Sequence, residues 1–203
     1  MRKAWKRLGF CFLAVVVVWM GMLLMDRQTL RQELVRLHVV AASDSAEDQS
    51  VKLRLKDAVV ESLKSDLENL QSAQEATAYL QENLPRIEAL ANSVLRDVGY
   101  ADVAKVSIGM EEFPIRDYET FSLPSGIYQT LRITIGEGKG QNWWCVAFPG
   151  LCLPATASGF EEAASCAGLS DGLIATLEEE SDYEIRFWLL DAIGRLENFL
   201  HQE

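Results

Sequence analysis

Three hydrophobic patterns follow one another along the chain. Residues 8–25 read LGFCFLAVVVVWMGMLLM, a run without a charge. As a helix rising 1.5 Å per residue it spans roughly 27 Å, the short end of what crosses a bilayer. Residues 28–34 form a short polar connector that continues this helix for a turn or two. At residues 35–42, VRLHVVAA, the pattern becomes β-branched and alternating, with Arg36 and His38 on one face and Leu37, Val39 and Ala41 on the other. This predicts a strand. It runs into SDSAEDQ, where Ser45 with Asp48 has capping-box spacing, with Asp in place of Glu, so a helix starts near Ala46. Val51, Leu55, Val59 and Leu63 recur every four residues, with Ala58 and Leu67 alongside, and carry that helix to about Leu70. Ser72 with Glu75 opens a second helix reaching about Asn83. Pro85 opens a third, with Ile87, Leu90, Ala91, Val94 and Leu95 on its apolar side and Gly99 as the residue that ends it.

The middle of the chain is β. Residues 103–113 alternate weakly and close at Pro114. A Leu-Pro-Ser-Gly turn at residues 123–126 leads into IYQTLRITI, the clearest strand, and a glycine-rich loop returns the chain into WWCVAF. Three consecutive antiparallel strands joined by turns are expected. Residues 155–172 are rich in Ala, Ser and Gly and read as a linker with some helical turns. At the end, Ile185, Trp188, Leu189, Ala192, Ile193, Leu196 and Phe199 form a helical stripe that must bury itself somewhere, by default on its own domain. The fold class is therefore α+β: one extracytoplasmic domain with a mostly antiparallel sheet of about four strands packed by amphipathic helices. The divisions are a transmembrane or signal segment at 1–27, the α+β domain at 28–154, a linker at 155–182 and an amphipathic helix at 183–203.

Charge sharpens this picture. The net charge is −11, yet Arg2, Lys3, Lys6, Arg7 and Arg27 lie within the first 27 residues, so the body is more acidic than the total. A body of that sign repels phosphate backbones, which argues against nucleic-acid binding. The cations ahead of the apolar run place the amino terminus in the cytoplasm and export everything after Met25. The residues around Gly21 make a poor cleavage site, which favours an uncleaved anchor over a signal peptide. Cys145, Cys152 and Cys166 then lie where disulfides form. Cys145 and Cys152 flank Phe148-Pro149-Gly150, a turn that brings them together, while Cys166 is left free or pairs between molecules.

Residues 136–152, GEGKGQNWWCVAFPGLC, concentrate the unusual chemistry. Gly136, Gly138 and Gly140 alternate with polar residues, which makes a shaped loop. Trp143 and Trp144 point to opposite faces in an extended chain, so at most one enters the same core. The loop lacks P-loop spacing and leads into a strand, so it is read as a stapled hairpin presenting Lys139, Asn142 and one tryptophan. No metal site or cofactor is expected, because the cysteines are too far apart for a zinc pair and Asp44, Glu47 and Asp48 fit helix capping. Nucleophilic catalysis has little support. Only His38 and His201 are available as bases, and there is no G-x-S-x-G. Carboxylate pairs drawn from Glu111, Glu112 and Glu137 carry negligible signal for glycoside cleavage.

Two segments, RLHVVAASDSAEDQSVKLRLKDAVV from Arg36 and YQTLRITIGEGKGQNWWCVAFPGLC from Tyr128, closely resemble the stage II sporulation protein R family. The resemblance covers most of residues 35–153 and leaves the tail from Ala155 aside. It implies an exported developmental signal, sent from the forespore into the space between two membranes. There the family is required for a membrane-embedded aspartic peptidase to process pro-sigma-E. The implied role is activator of a protease, not protease. The motif positions to suspect in partner contact are Arg36, His38, Asp44, Ser45, Asp48, Lys139, Asn142, Trp143 and Trp144. The competing expectation is an envelope glycan-binding or cell-wall-modifying domain that uses the Trp143/Trp144 loop.

Overall fold

A computed structural model describes residues 2–118, 121–150, 164–165, 168–178 and 184–201. Helix α1, Arg2–Glu33, is apolar over residues 8–25 and exposed almost all round there, with Leu8, Phe10, Phe12, Val15 and Met22 all open. A helix apolar on every side and covered by nothing fits a lipid environment, and this one is long enough to cross a membrane. It is a membrane anchor or a signal sequence. Its carboxyl-terminal third behaves differently, because Leu23 and Leu30, with Leu34 just beyond the helix, are buried against the domain.

Strand β1, Val35–Val40, follows at once. Helices α2 (Ala46–Glu68), α3 (Ala73–Glu82) and α4 (Leu84–Asp97) come next. Their boundaries have local causes. The Ser45 hydroxyl accepts the Asp48 N–H at 3.1 Å, and the Ser72 hydroxyl accepts that of Glu75 at 3.2 Å. Glu75 reaches back to the Gln71 N–H at 2.9 Å, one residue beyond the usual capping box. Gly99, at φ 70°, donates to Arg96, and Tyr100 donates to Leu95, a Schellman ending for α4.

Strands β2 (Ala104–Phe113), β5 (Gly126–Ile135) and β6 (Asn142–Phe148) join β1 in a mixed sheet of order β2-β5-β1-β6. Between β2 and β5 the short strands β3 (Arg116–Asp117) and β4 (Ser122–Leu123) make a separate ribbon. β2 and β5 pair antiparallel, as do β1 and β6, while β1 and β5 run parallel.

The expected succession of three paired antiparallel strands is corrected here. β5 and β6 are not neighbours, because β1 lies between them. The reason is burial: every residue of β1 is buried, and a strand covered on both faces belongs in the middle of a sheet. The glycine-rich stretch is therefore not a hairpin turn but a crossing over the end of β1.

The face of the sheet carrying Leu37, Val39, Leu131 and Ile133 is covered by α2, α3 and α4, whose Leu55, Val59, Leu63, Leu80, Ile87 and Leu95 complete the core. Within the stretch expected to be a linker, α5 (Asp171–Leu177) buries Leu173, Ile174 and Leu177. The chain ends in α6, Glu184–His201.

The expected burial of the α6 stripe is also corrected. Leu190, Asp191 and Gly194 face the domain, whereas Trp188, Leu196 and Phe199 are exposed. Two close contacts decide this orientation. A Cβ on Gly194 would sit 1.7 Å from the Ser125 carbonyl oxygen, and Asp191 accepts hydrogen bonds from the Ser125 N–H and hydroxyl at 3.0 and 2.7 Å. Only a glycine in register with an aspartate lets the helix approach so closely, and both lie off the apolar stripe.

Candidate functional site

Strand alternation sends Arg36 and His38 to the sheet face that α2–α4 do not cover. Register then decides what they meet. His38 lies opposite Arg132 on β5 and opposite Trp144 on β6. His38 Nδ1 and Glu111 Oε2 of β2 are 2.8 Å apart, and Nε2 lies 3.0 Å from the Asn142 Oδ1. The Arg132 guanidinium donates to the other Glu111 oxygen at 3.3 Å. The result is a continuous line Asn142–His38–Glu111–Arg132 across all four strands. Burial pushes the Glu111 carboxyl up, but hydrogen bonding to His38 and the Arg132 charge outweigh it and hold the group below its ordinary value. Both ring nitrogens of His38 thus face protein groups, and no hydroxyl or thiol is among their hydrogen-bonding partners.

Arg36 is fully buried beside this line. Its Nε donates to the Cys145 carbonyl at 3.2 Å and one terminal nitrogen to the Tyr118 hydroxyl at 2.8 Å. The guanidinium stacks 4.3 Å from the Phe113 ring centre and 5.2 Å from that of Tyr128. Aromatic faces thus substitute for part of the hydration that burial removes. Trp144 closes the cluster, edge-on to His38 at 5.1 Å, tilted against Phe113 at 5.3 Å and with the Arg116 guanidinium 4.1 Å over its ring. Arg36, His38 and Trp144 are therefore a packed unit with little free surface.

A second group gathers at the end of β1. The Lys139 and Gly140 N–H groups donate to the Ala42 and Ala41 carbonyls at 3.1 and 3.0 Å, which lays the glycine loop across residues 41–43. A Cβ at Gly140 would fall 2.2 Å from the Ser43 oxygen, and Gly136 and Gly138 have φ of 56° and 63°. Asp44 accepts the Gln141 N–H at 2.7 Å. Asp48 accepts from the Ser43 and Tyr100 hydroxyls, both at 2.5 Å, and these bonds, Ser43 first, lower its carboxyl below the ordinary value. Lys52 of α2 is buried, with its ammonium 3.0 Å from the Gln141 carbonyl. Asp44, Ser45 and Asp48 are thereby committed to holding the start of α2 against the loop.

Lys139 and Trp143 remain outward. The Lys139 side chain is 74% exposed and pairs with Glu137, itself as open. Trp143 is 37% exposed, with the Lys56 ammonium 4.8 Å from its ring centre. Of the two tryptophans, Trp143 is the more open. Cys145 is disulfide-bonded. Cys152 and Cys166, either of which could complete that bond, lie outside the described residues. Among the described residues no group of three or more His, Cys, Asp or Glu side chains is placed to hold a metal.

Sequence reasoning missed Glu111 as a partner of His38, and it missed Arg132, Phe113, Tyr118 and Arg116 entirely. For Glu111, Phe113 and Arg132 the signal is a period of two that shares a face with His38, legible once the order β2-β5-β1-β6 is known, whereas Arg116 and Tyr118 lie in and just after β3, outside that sheet.

In class, the molecule is an α+β domain preceded by one long apolar helix, with a polar and aromatic cluster on one sheet face and a glycine-shaped crossing at the end of β1. Residues 31–158 match the family described as stage II sporulation protein R, and the chain belongs to that family. Stage II sporulation protein R of Bacillus subtilis (strain 168) is 35% identical over 120 residues, which are 59% of this chain and 54% of that protein. The chain thus spans about half the length of this relative. No solved structure matches it.

Proposed function

We propose that this chain is an exported sporulation signal that activates the membrane-embedded aspartic peptidase processing pro-sigma-E, and is not itself a protease. Family membership over residues 31–158 carries this reading and supports a role in sporulation signalling. The domain acts between the forespore and mother-cell membranes, held by residues 8–25, and contacts the peptidase around the glycine crossing. Lys139 and Trp143 are the contact residues. Asn142, His38 and Arg36 set the strand that carries them, while Asp44, Ser45 and Asp48 fix the loop. A disulfide between Cys145 and Cys152 braces the far end of β6. Activation is a population shift: the signal binds the active form of the peptidase better than the inactive one. The alternative, a glycan-binding platform on Trp143 and Trp144, draws less support, because stacking a sugar needs an open ring face. Arg116 lies over Trp144 and Lys56 over Trp143.

The test is co-expression of the full chain with its peptidase and pro-sigma-E. Processing that depends on this chain is the expected result. Absence of processing with all three proteins correctly placed would contradict the proposal. Retention on purified peptidoglycan, abolished by Trp143→Ala, would favour the glycan alternative.

A further inference from the structure

Among the described residues, nothing covers the outward stripe of α6. Trp188 is 61% exposed, and Leu196, Phe199 and Leu200 are open to a similar degree. No charged residue falls between them on that side of the helix, and four large apolar groups on one face exceed what a soluble surface ordinarily leaves bare. The surroundings say what covers them. α6 is fastened to the end of α1, where the apolar segment stops. Arg27 pairs with Glu197, Arg31 donates to Glu197 at 2.8 Å, and Arg27 also reaches the Leu190 carbonyl at 3.4 Å. Between the two helices runs a groove of about 420 Å³, lined on its apolar side by Leu24 of the apolar segment with Ile193, Leu196 and Leu200 and on its polar side by Arg27, Gln28, Arg31 and Glu197. The bare face of α6 is therefore continuous with the surface of α1 that lipid covers. Arg27 and Arg31 stand where cations flank a span, and Trp188 is of the residue type that favours the headgroup level.

We infer that α6 is an interfacial helix, lying with Trp188, Leu196, Phe199 and Leu200 in the headgroup region of the bilayer that α1 spans. The domain is then held at two places, by a span and by a float, and cannot swing freely about residue 34. This fixes which side of the sheet can face a membrane-embedded partner. The inference rests on α1 being retained as a span, and needs no peptidase.

The test uses the full chain in lipid nanodiscs made with or without lipids brominated near the headgroup. Trp188 emission is obtained as the difference between the natural chain and Trp188→Phe, and Trp19 emission likewise from Trp19→Phe as the control inside the span. The expected result is loss of Trp188 emission to brominated lipid together with protection from aqueous acrylamide. Quenching of Trp19 but not of Trp188 by the lipid bromines overturns the inference while leaving the span intact. Protection of Trp188 from acrylamide without bromine quenching also overturns it, since a second copy or another protein then covers the face. Failure of Trp19 to be quenched removes the span and the inference with it.

Discussion

Strand β1 has two faces, and they are built on different principles. Leu37 and Val39 enter an apolar core under α2–α4, where shape and burial suffice. Arg36 and His38 enter a layer held by hydrogen bonds to named partners, Cys145 and Tyr118 for the one, Glu111 and Asn142 for the other, although the second terminal nitrogen of Arg36 and the Trp144 indole N–H find no partner among the described residues. The first face makes the domain fold. The second fixes the relative placement of four strands, because a buried hydrogen-bonded line tolerates no slip in register. The glycine crossing sits at the end of that line, and its exposed residues inherit the precision.

The difference can be broken from either side. The largest effect is expected on the apolar face, where Leu37→Ala should lower stability by about 2–5 kcal/mol, read as a fall in the urea midpoint. Next comes Gly140→Ala, which must push the loop off Ser43 and should cost about 1–3 kcal/mol by the same measurement. A smaller effect follows from pH. The Glu111 carboxyl is held below its ordinary value, so between that value and the folded one the unfolded chain binds more protons. The contribution is whole above the ordinary carboxylate range and is lost as pH falls through the folded value. Urea midpoints measured downward from pH 6 should therefore decline less steeply in Glu111→Gln than in the natural chain. The smallest effects belong to the exposed residues, where Lys139→Ala and Trp143→Ala should each change stability by less than about 1 kcal/mol.

Much of this was legible beforehand, and the failures have a common cause. Helix starts at Ser45 and Ser72 and the stop at Gly99 are local events, set by side chains within four residues, and the sequence displays them. The placement of β1 between β5 and β6 is not local. It depends on the two-sided burial of six residues against strands about 90 and 105 positions away. The same blindness affected the site. Asn142 and Trp144 stood out as unusual residues, but Glu111 and Arg132 look like ordinary surface charges until register brings them to His38. In α6 the period was read correctly and the direction was not. Gly194 and Asp191 define the docking side, and neither contributes to an apolar pattern. A strong stripe shows that something apolar lies opposite, not that the domain itself supplies it.

The central claim is that the residues outside the packed line, at the glycine crossing, meet the peptidase. It is tested most directly by comparing pro-sigma-E processing driven by the natural chain with that driven by the double variant Lys139→Ala, Trp143→Ala. The two must first be shown to share a urea midpoint within about 1 kcal/mol of stability. The account predicts that the double variant remains folded and exported while processing falls by at least about tenfold, the equivalent of 1.4 kcal/mol of lost contact. Processing at the natural level by a folded, exported double variant would contradict it, and would place the recognition surface elsewhere on the domain.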